Sequence, residues 1–370
     1  MRKRKMKTKL FPVLFLLSLL GTSCIQEEPL NPEADILSFG LPESIIISEP
    51  MFNQNDIFAI IRSDADMTNI APEITVTDGA TIVPASGTPQ DFSQPVVYTV
   101  TAADGIHQRV YTVQLTSATV TNYTFEYWSE PTARYETPYE LNSDNVRQNI
   151  WASSNQGMAI YQQFTDKYKY PVHSTTDAVE GTFGAYMETQ NGPGNILNIQ
   201  YIPIIAGSLF TGSMDLGNAL LDPLSSTKFG IPFTEVPIRF KGYYKYKAGT
   251  GDYIGPDGNP RPGVIDSCAL YAVFYKVDEN LQSLDGNTVL DHPNIVSMAM
   301  LPDKTSTEGD EFVSFDIPFA QVNDIEVDFD KYTYKLAVVL SSSFWGQRYE
   351  GTPGSNLTVD NLEIITENEQ

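Results

Sequence analysis

Residues 228–249, KFGIPFTEVPIRFKGYYKYKAG, indicate the fold of the larger part of this chain. With the two-residue period of a strand, residues 236–247 divide into an aromatic face and a basic face. The aromatic face contains Ile238, Phe240, Gly242, Tyr244 and Tyr246, and the basic face contains Arg239, Lys241, Tyr243, Lys245 and Lys247. We expect the aromatic face to build a core. The basic face is either solvated surface or, through Arg239, Lys241 and Tyr243, a face that contacts a ligand.

Other stretches of the same region also read as strands. Residues 267–277, SCALYAVFYKV, are apolar on both alternating faces, as in a central strand covered on both sides. Residues 332–340 follow a similar pattern, and residues 357–365 supply a closing strand. Because Pro and Gly interrupt every helical period, long strands joined by long loops predict a double-sheet jelly roll over residues 122–367.

Residues 34–117 form a separate region of short β-rich runs. Asp78-Gly79 and Asp104-Gly105 stand between alternating stretches, where such pairs predict tight turns. The fold class is therefore all-β, a small sandwich followed by a larger sandwich. The string from APEITVTDGA to YTVQL (residues 71–115) resembles the bacterial Ig-like repeats at the N-termini of Bacteroidetes surface proteins. That resemblance implies an Ig-like spacer.

Residues 1–23 have the features of an export signal. Six cations precede a short apolar run, and Gly21, Thr22 and Ser23 lead to Cys24. Small residues before a cysteine resemble the lipobox of bacterial lipoproteins, which implies lipidation of Cys24 and attachment to the outer membrane through that lipid. The acidic run after Cys24 is similar to the surface-export signal of Bacteroidetes lipoproteins, which implies exposure at the cell surface. Residues 24–33 then form a tether.

The charge of the chain excludes some partners. The formal net charge is −23, and removal of the cationic leader makes the rest still more acidic. Such a surface repels phosphate backbones, so we expect no nucleic-acid partner. Lipidation of Cys24 would leave Cys268 alone, so we expect no disulfide framework. We expect a monomer.

A set of ordered fragments across residues 123–366 supports a family. These fragments are Phe125-Glu126, WASSN (151–155), AGSLFTG (206–212), FGIPF (229–233), GYYKY (242–246) and SSS (341–343) with GSNLTVD (354–360). Together they resemble the putative carbohydrate-metabolism domain of Bacteroidetes lipoproteins. The resemblance implies a galactose-binding-like jelly roll and a link to glycans.

Two carboxylates suggest a structural metal. In residues 357–365 simple alternation places Asp360 on one face with Thr358, Leu362 and Ile364, toward the core, where a carboxylate needs a cation or several donors. Glu126 and Asp360 match the positions at which jelly-roll glycan-binding modules hold a structural Ca²⁺. The alternative is that Asp360 binds backbone N–H groups. We expect no organic cofactor.

Aromatic side chains supply the candidate glycan contacts, because sugars present apolar faces to flat rings and hydroxyls to polar groups. Trp345 lies in the Gly/Ser-rich stretch SSSFWGQRYEGTPGSN with Gln347, Arg348 and Tyr349. Trp151, followed by Asn155, has similar chemistry. For any one of these tryptophans, packing in the core is the alternative.

Signals for catalysis are weak. The histidines at 107, 173 and 292 have no metal-ligand spacing, and no HExxH or GxSxG motif occurs. We therefore expect a cell-surface lipoprotein that binds a polysaccharide or oligosaccharide without catalysis. The alternatives are a glycoside hydrolase or lyase with paired carboxylates, for which Asp166, Glu180, Glu188, Asp215, Glu235 and Asp266 are all available, and an adhesin or assembly protein.

Overall fold

The computed structural model describes residues 30–46, 50–62, 65–116, 120–129, 135–141, 147–162, 169–196, 200–217, 219, 222–307 and 309–367. The export signal, Cys24 and most of the tether lie outside these ranges, so the statements made about them above stay predictions. None of the helices in the described ranges has the length and apolarity needed to span a bilayer.

The described N-terminal region is a small β-sandwich. Its strands are β1 (Ile36–Gly40), β2 (Met51–Asn53), β3 (Asp56–Ile60), β4 (Glu73–Val76), β5 (Thr81–Val83), β6 (Val96–Thr101) and β7 (Gln108–Thr116). One sheet has the order β2-β3-β7-β6-β5, with β3 parallel to β7, and β1 pairs with β4 in the other. Phe39 of β1 packs edge-to-face on Tyr98 of β6, with ring centroids 6.1 Å apart. The core lies between the two sheets.

Both predicted Asp-Gly turns form with glycine at positive φ, +78° at Gly79 and +69° at Gly105. Asp104-Gly105 closes the β6–β7 hairpin. Asp78-Gly79 instead carries the chain from β4, which pairs with β1, to β5, which pairs with β6. This second turn therefore joins the two layers of the sandwich.

The described C-terminal region is built around two larger sheets. Its strands are β8 (Asn122–Tyr123), β9 (Tyr127–Trp128), β10 (Pro138–Leu141), β11 (Arg147–Gln148), β12 (Trp151–Ser153), β13 (Val172–Thr175), β14 (Gly184–Glu188), β15 (Gln190–Ile196), β16 (Gln200–Ile205), β17 (Ser208–Met214), β18 (Thr227–Phe229), β19 (Ile231–Pro232), β20 (Pro237–Lys247), β21 (Tyr253–Ile254), β22 (Pro260–Arg261), β23 (Ala269–Val277), β24 (Ile295–Met300), β25 (Val313–Pro318), β26 (Ala320–Gln321), β27 (Thr333–Ser341) and β28 (Asn356–Thr366). Helices α1 (Ser154–Gln162) and α2 (Pro223–Ser226) and a 3₁₀ turn (Gly346–Arg348) complete the described elements.

The first large sheet has the order β12-β17-β27-β23-β24-β26, with β18 beside β17 and β19 beside β27. The second has the order β13-β14-β28-β20-β25, with β8 beside β28. A common core holds side chains of both sheets. The predicted all-β class, a small sandwich followed by a larger one, is confirmed.

Strand β20 behaves as its alternation predicts. Phe240, Tyr244 and Tyr246 are buried in the common core, whereas Lys241, Tyr243 and Lys245 on the opposite face are half-buried. Strand β23 is buried on both faces because its second face is covered by residues 281–289. A side chain at Gly242 in β20 would crowd β28, since a Cβ there would lie 2.4 Å from Leu362 Cδ2 and 3.1 Å from Leu362 Cα.

A β-bulge in β28 changes the predicted face of Asp360. Tyr243 lies opposite Asp360 and Lys241 opposite Glu363, so β28 advances three residues where β20 advances two. Asn361, at φ +47°, makes this step. The prediction of one shared face is wrong, because the bulge reverses the alternation between the pair Thr358 and Asp360 and the pair Leu362 and Ile364.

A hydrophobic seam joins the two regions. Met51, Phe58 and Ile60 of the small sandwich are buried in the common core of the large one, together with Trp151. Beside this seam, the amide Nε2 of Gln54 donates to the hydroxyl of Tyr135 at 3.0 Å. The small sandwich is therefore packed against the large one through apolar and polar contacts.

Candidate functional site

The candidate site is the loop of residues 342–351, which follows β27. Its backbone is fixed at both ends, because Phe344 N donates to Ser267 O at 2.7 Å and Gly351 N donates to Ile254 O at 3.1 Å. The 3₁₀ turn lies between these anchors, and Tyr349 ends it at φ +60°. The loop therefore presents its side chains from a well-defined backbone.

A buried carboxylate supports this loop from below. Asp266 Oδ2 accepts from Ser343 Oγ at 2.6 Å, from Thr352 N at 2.7 Å and from Ser355 Oγ at 2.8 Å. Asp266 is 2% exposed, and burial raises its pKa although these hydrogen bonds favour the charged form. Asp266 was one of the carboxylates considered for catalysis. It is enclosed by the protein and holds the loop in place.

The loop carries an aromatic and cationic group. Trp345 is half-buried and meets Phe344 edge-to-face, with ring centroids 4.9 Å apart and planes at 89°. Arg348 is exposed, and its guanidinium carbon lies 4.5 Å from the centre of the Trp345 ring. On the other ring of the pair, Lys304 Nζ lies 3.9 Å from the centre of Phe344. The arrangement combines flat rings with hydrogen-bond donors, which is the chemistry that binds sugars.

Next to this group is a mainly apolar cavity of about 130 Å³. It lies on the face of the first large sheet that points away from the common core. Gln347 and Tyr349 line its edge, so the loop brings two predicted contacts to the cavity while Trp345 and Arg348 lie beside it. Met158, Phe210, Tyr271 and Phe344 also line this cavity.

Trp151 is not an exposed platform, contrary to the prediction. It is 0% exposed, and its ring centroid lies 5.4 Å from those of both Tyr123 and Phe125. Its Nε1 donates to Glu140 Oε1 at 3.1 Å. The short strand β12 pairs with β17 and turns this indole into the core, which a list of polar neighbours in the sequence does not reveal.

Asn155 is also a structural residue. It is 0% exposed; its Nδ2 donates to Val172 O at 2.7 Å, and its Oδ1 accepts from Val172 N at 3.0 Å. The amide thus ties the first turn of α1 to the start of β13. Its predicted contact with a ligand is wrong in this structure, because both ends of the amide are already bound.

The basic face of β20 lies on the outer side of the second large sheet. Arg239 Nε binds Asp316 Oδ1 at 2.6 Å. Lys245 forms an ion pair with Asp177 and donates to the backbone oxygen of residue 310 at 3.1 Å. Lys241 stands between Asp316 and Glu363 in strand register, and Tyr243 is half-buried. Carboxylates of the chain itself therefore neutralise much of this face, and the contact of Arg239, Lys241 and Tyr243 with a ligand stays a prediction.

Glu126 and Asp360 come close together around the loop of residues 179–183. Glu126 Oε1 accepts from Thr182 N at 2.9 Å, and Asp360 Oδ2 accepts from Val179 N at 2.6 Å. Burial raises the pKa of Asp360, and the charge of Glu126 raises it further. These amide donors fit the carboxylates as loop anchors. In the described ranges, no three His, Cys, Asp or Glu side chains are grouped to hold a metal. The Ca²⁺ site stays a prediction.

The histidines have local partners. His107 binds Asp104 at 2.5 Å, His173 stacks on Tyr186 with ring centroids 4.8 Å apart, and the ring of His292 lies 3.1 Å from Asn294 N. These contacts belong to turns and to a strand pair.

Two features of the site were not predicted from the sequence, namely Phe344 and the anchoring role of Asp266. For Asp266, the available signal was an acidic residue just before a long apolar strand.

The protein is thus an all-β protein of two modules. A small β-sandwich is packed against a larger two-sheet sandwich, and the larger one carries an aromatic loop. Residues 124–365 match the family model described as putative carbohydrate metabolism domain, and residues 36–115 match the model described as SGBP, N-terminal. The chain belongs to the putative carbohydrate metabolism domain family, and the predicted family membership is confirmed. The N-terminal module, predicted from Ig-like repeats, carries the SGBP match.

Two solved structures are similar over most of their length. A Bacteroides thetaiotaomicron protein named as a putative glycoside hydrolase is 36% identical, with 92% of this chain and 99% of that chain covered and a TM-score of 0.82. A Bacteroides vulgatus protein with the same description is 30% identical, with 67% of this chain and 98% of that chain covered and a TM-score of 0.58. No curated protein matches the chain significantly. The protein is therefore carbohydrate-related.

Proposed function

We propose that the protein binds a glycan at the loop of residues 342–351 without cleaving it. The observation that carries this proposal is the Trp345–Arg348 pair, a half-buried indole with a guanidinium 4.5 Å from its ring centre. Such a pair offers a stacking surface and several donors from a backbone that is anchored at both ends. The two family models support a carbohydrate as the ligand.

The proposed setting is the cell surface. Lipidation at Cys24 would attach the protein to the outer membrane, residues 24–33 would act as the tether, and residues 34–117 and 122–367 would form the two domains. The SGBP match of the N-terminal module supports a role in surface glycan capture. Metabolic labelling with a lipid precursor, compared between the wild type and Cys24→Ser, tests the anchor, and loss of label is the expected result.

Affinity electrophoresis on polysaccharide gels tests glycan binding. We expect retardation of the wild type on at least one gel, and Trp345→Ala should weaken binding about tenfold through loss of one stacking ring. Tyr332→Ala is the matched control, since Tyr332 is a 43%-exposed aromatic at the opposite end of β27. Unchanged retardation of Trp345→Ala would refute this loop as the binding site.

A glycoside hydrolase is the second candidate, because both similar structures are named as putative glycoside hydrolases. Hydrolysis requires two carboxylates placed on either side of a bound sugar. Within residues 342–351 the one carboxylate is Glu350, which is half-buried, whereas Asp266 below the loop is enclosed. Release of reducing ends by the wild type, lost in Glu350→Gln, would support hydrolysis and replace the non-catalytic proposal.

A further inference from the structure

A second cavity lies between the two modules. This cleft of about 670 Å³ is bounded by the β2–β3 turn of the small sandwich and by β17 and β18 of the large one. Ligand sites occur preferentially at domain interfaces and commonly have volumes in the range of about 300–1,000 Å³. Met214 lines both this cleft and the apolar cavity beside the aromatic loop, so the two spaces are neighbours.

The walls of the cleft are held in place. On one side, Gln54 donates to Tyr135 and the seam residues fix the β2–β3 turn. On the other side, the β17–β18 ladder pairs Ser213 with Lys228. The ladder leaves no space for a side chain at Gly212, because a Cβ there would lie 2.0 Å from Lys228 O. Little rearrangement would therefore be needed to admit a ligand.

The lining has the mixed chemistry that sugars require. Arg109, Lys228 and Gln54 provide donors, Asp215 provides an acceptor, and Phe52 and Leu216 provide apolar surface. The cations are not in excess, since Arg109 is paired with Asp35, and Lys228 Nζ donates to Ser225 O at 3.0 Å and lies within electrostatic range of Asp222. A balanced charge favours a neutral ligand over an anionic one.

We propose that this cleft binds a segment of a neutral oligosaccharide. The N-terminal module then contributes Phe52, Gln54 and Arg109 to recognition and is more than a spacer. This inference rests on the proposed glycan-binding function and adds to it a second subsite and a ligand class.

Calorimetric titration of the protein with maltohexaose, cellohexaose, xylohexaose and the anionic hexagalacturonate tests the cleft. Leu216→Trp places a large ring at the rim, where Leu216 is 36% exposed, and should weaken binding of a neutral hexasaccharide about tenfold or more. Ile265→Trp, at a 78%-exposed site outside the cleft, is the matched control and should bind as the wild type does. Asp215→Asn provides a second, nearly isosteric variant that should also bind more weakly.

The outcomes separate the two proposals. If a hexasaccharide binds, is lost in Trp345→Ala and is unaffected by both cleft variants, glycan binding stands and the cleft proposal is overturned. Binding of hexagalacturonate alone overturns the neutral class. If the wild type binds none of the four probes and no polysaccharide gel, the proposed function fails and this inference fails with it.

Discussion

Replacement of Glu140 by Gln should remove a large part of the pH dependence of stability. Glu140 is 1% exposed on β10. Its Oε2 accepts from Thr124 N at 3.0 Å, and its Oε1 accepts from Trp151 Nε1 at 3.1 Å. Burial raises its pKa to about 7, and these hydrogen bonds offset only part of that effect.

The direction of the change in stability with pH follows from the raised pKa of Glu140 in the folded state. Between the unfolded value of 4.5 and about 7, the folded protein keeps a proton that the unfolded chain releases. The stabilisation is therefore complete below about pH 4.5 and is lost as the pH rises through 7. At 1.36 kcal/mol per pKa unit the whole effect is about 3 kcal/mol, of which about 2.5 kcal/mol falls between pH 5 and pH 8.

Urea unfolding followed by tryptophan fluorescence across this pH range measures the effect. Other buried acids also titrate, so the informative quantity is the difference in unfolding free energy between the wild type and Glu140→Gln. We expect the wild type to lose about 2.5 kcal/mol relative to the variant as the pH rises from 5 to 8. The variant also has a constant cost of about 1–3 kcal/mol, because its amide cannot accept from every donor around it.

Glu73→Gln is the control for loss of one negative charge, since Glu73 is exposed. A difference curve for Glu140→Gln that is flat across the range would refute the reasoning. It would mean that the buried carboxyl is ionised at all these pH values and that its hydrogen-bond donors fully compensate for its burial.

Three further predictions concern packing and the acidic anchors. Asn155→Ala should destabilise the protein by about 2–4 kcal/mol in urea unfolding, because both buried backbone groups of Val172 lose their partner; an effect below about 0.5 kcal/mol would contradict the structural role. Gly212→Ala should cost about 1–3 kcal/mol through its clash with backbone, whereas Gly251→Ala, with open space around it, should be neutral, and equal melting temperatures for the two variants would contradict the geometry. Ca²⁺ or a chelator should leave the melting temperature unchanged if amide donors alone satisfy the two carboxylates that anchor the loop before β14, and a calcium-dependent rise would instead establish the sequence-predicted metal site.

The sequence predicts the parts of the fold that depend on the alternation of side chains along a strand. The aromatic face of β20 and the two buried faces of β23 follow directly from which residues recur every second position. The face of Asp360 could not be predicted in this way. A single αL residue, Asn361, shifts the register by one, and an asparagine within an apolar strand is a weak sign of a bulge.

The candidate site was predictable only in part, because residue type indicates chemistry but not exposure. Trp345 and Trp151 have similar polar neighbours in the sequence, yet one is half-buried on a loop and the other lies in the core. The difference arises from strand pairing over long sequence separation, as between β12 and β17. The cleft between the modules has no local sequence signal, since its walls lie more than 100 residues apart.

The hydrophobic seam has a consequence for how this chain can be divided. Met51, Phe58 and Ile60 supply part of the interior of the large sandwich, so a fragment starting near residue 120 would expose the apolar surface that they cover. Such a fragment should aggregate or melt early even though its family match is complete. Proteases that cut between the modules should likewise release nothing until the seam opens. The two sequence families meet at residue 120, but the cooperative unit of unfolding extends across that boundary.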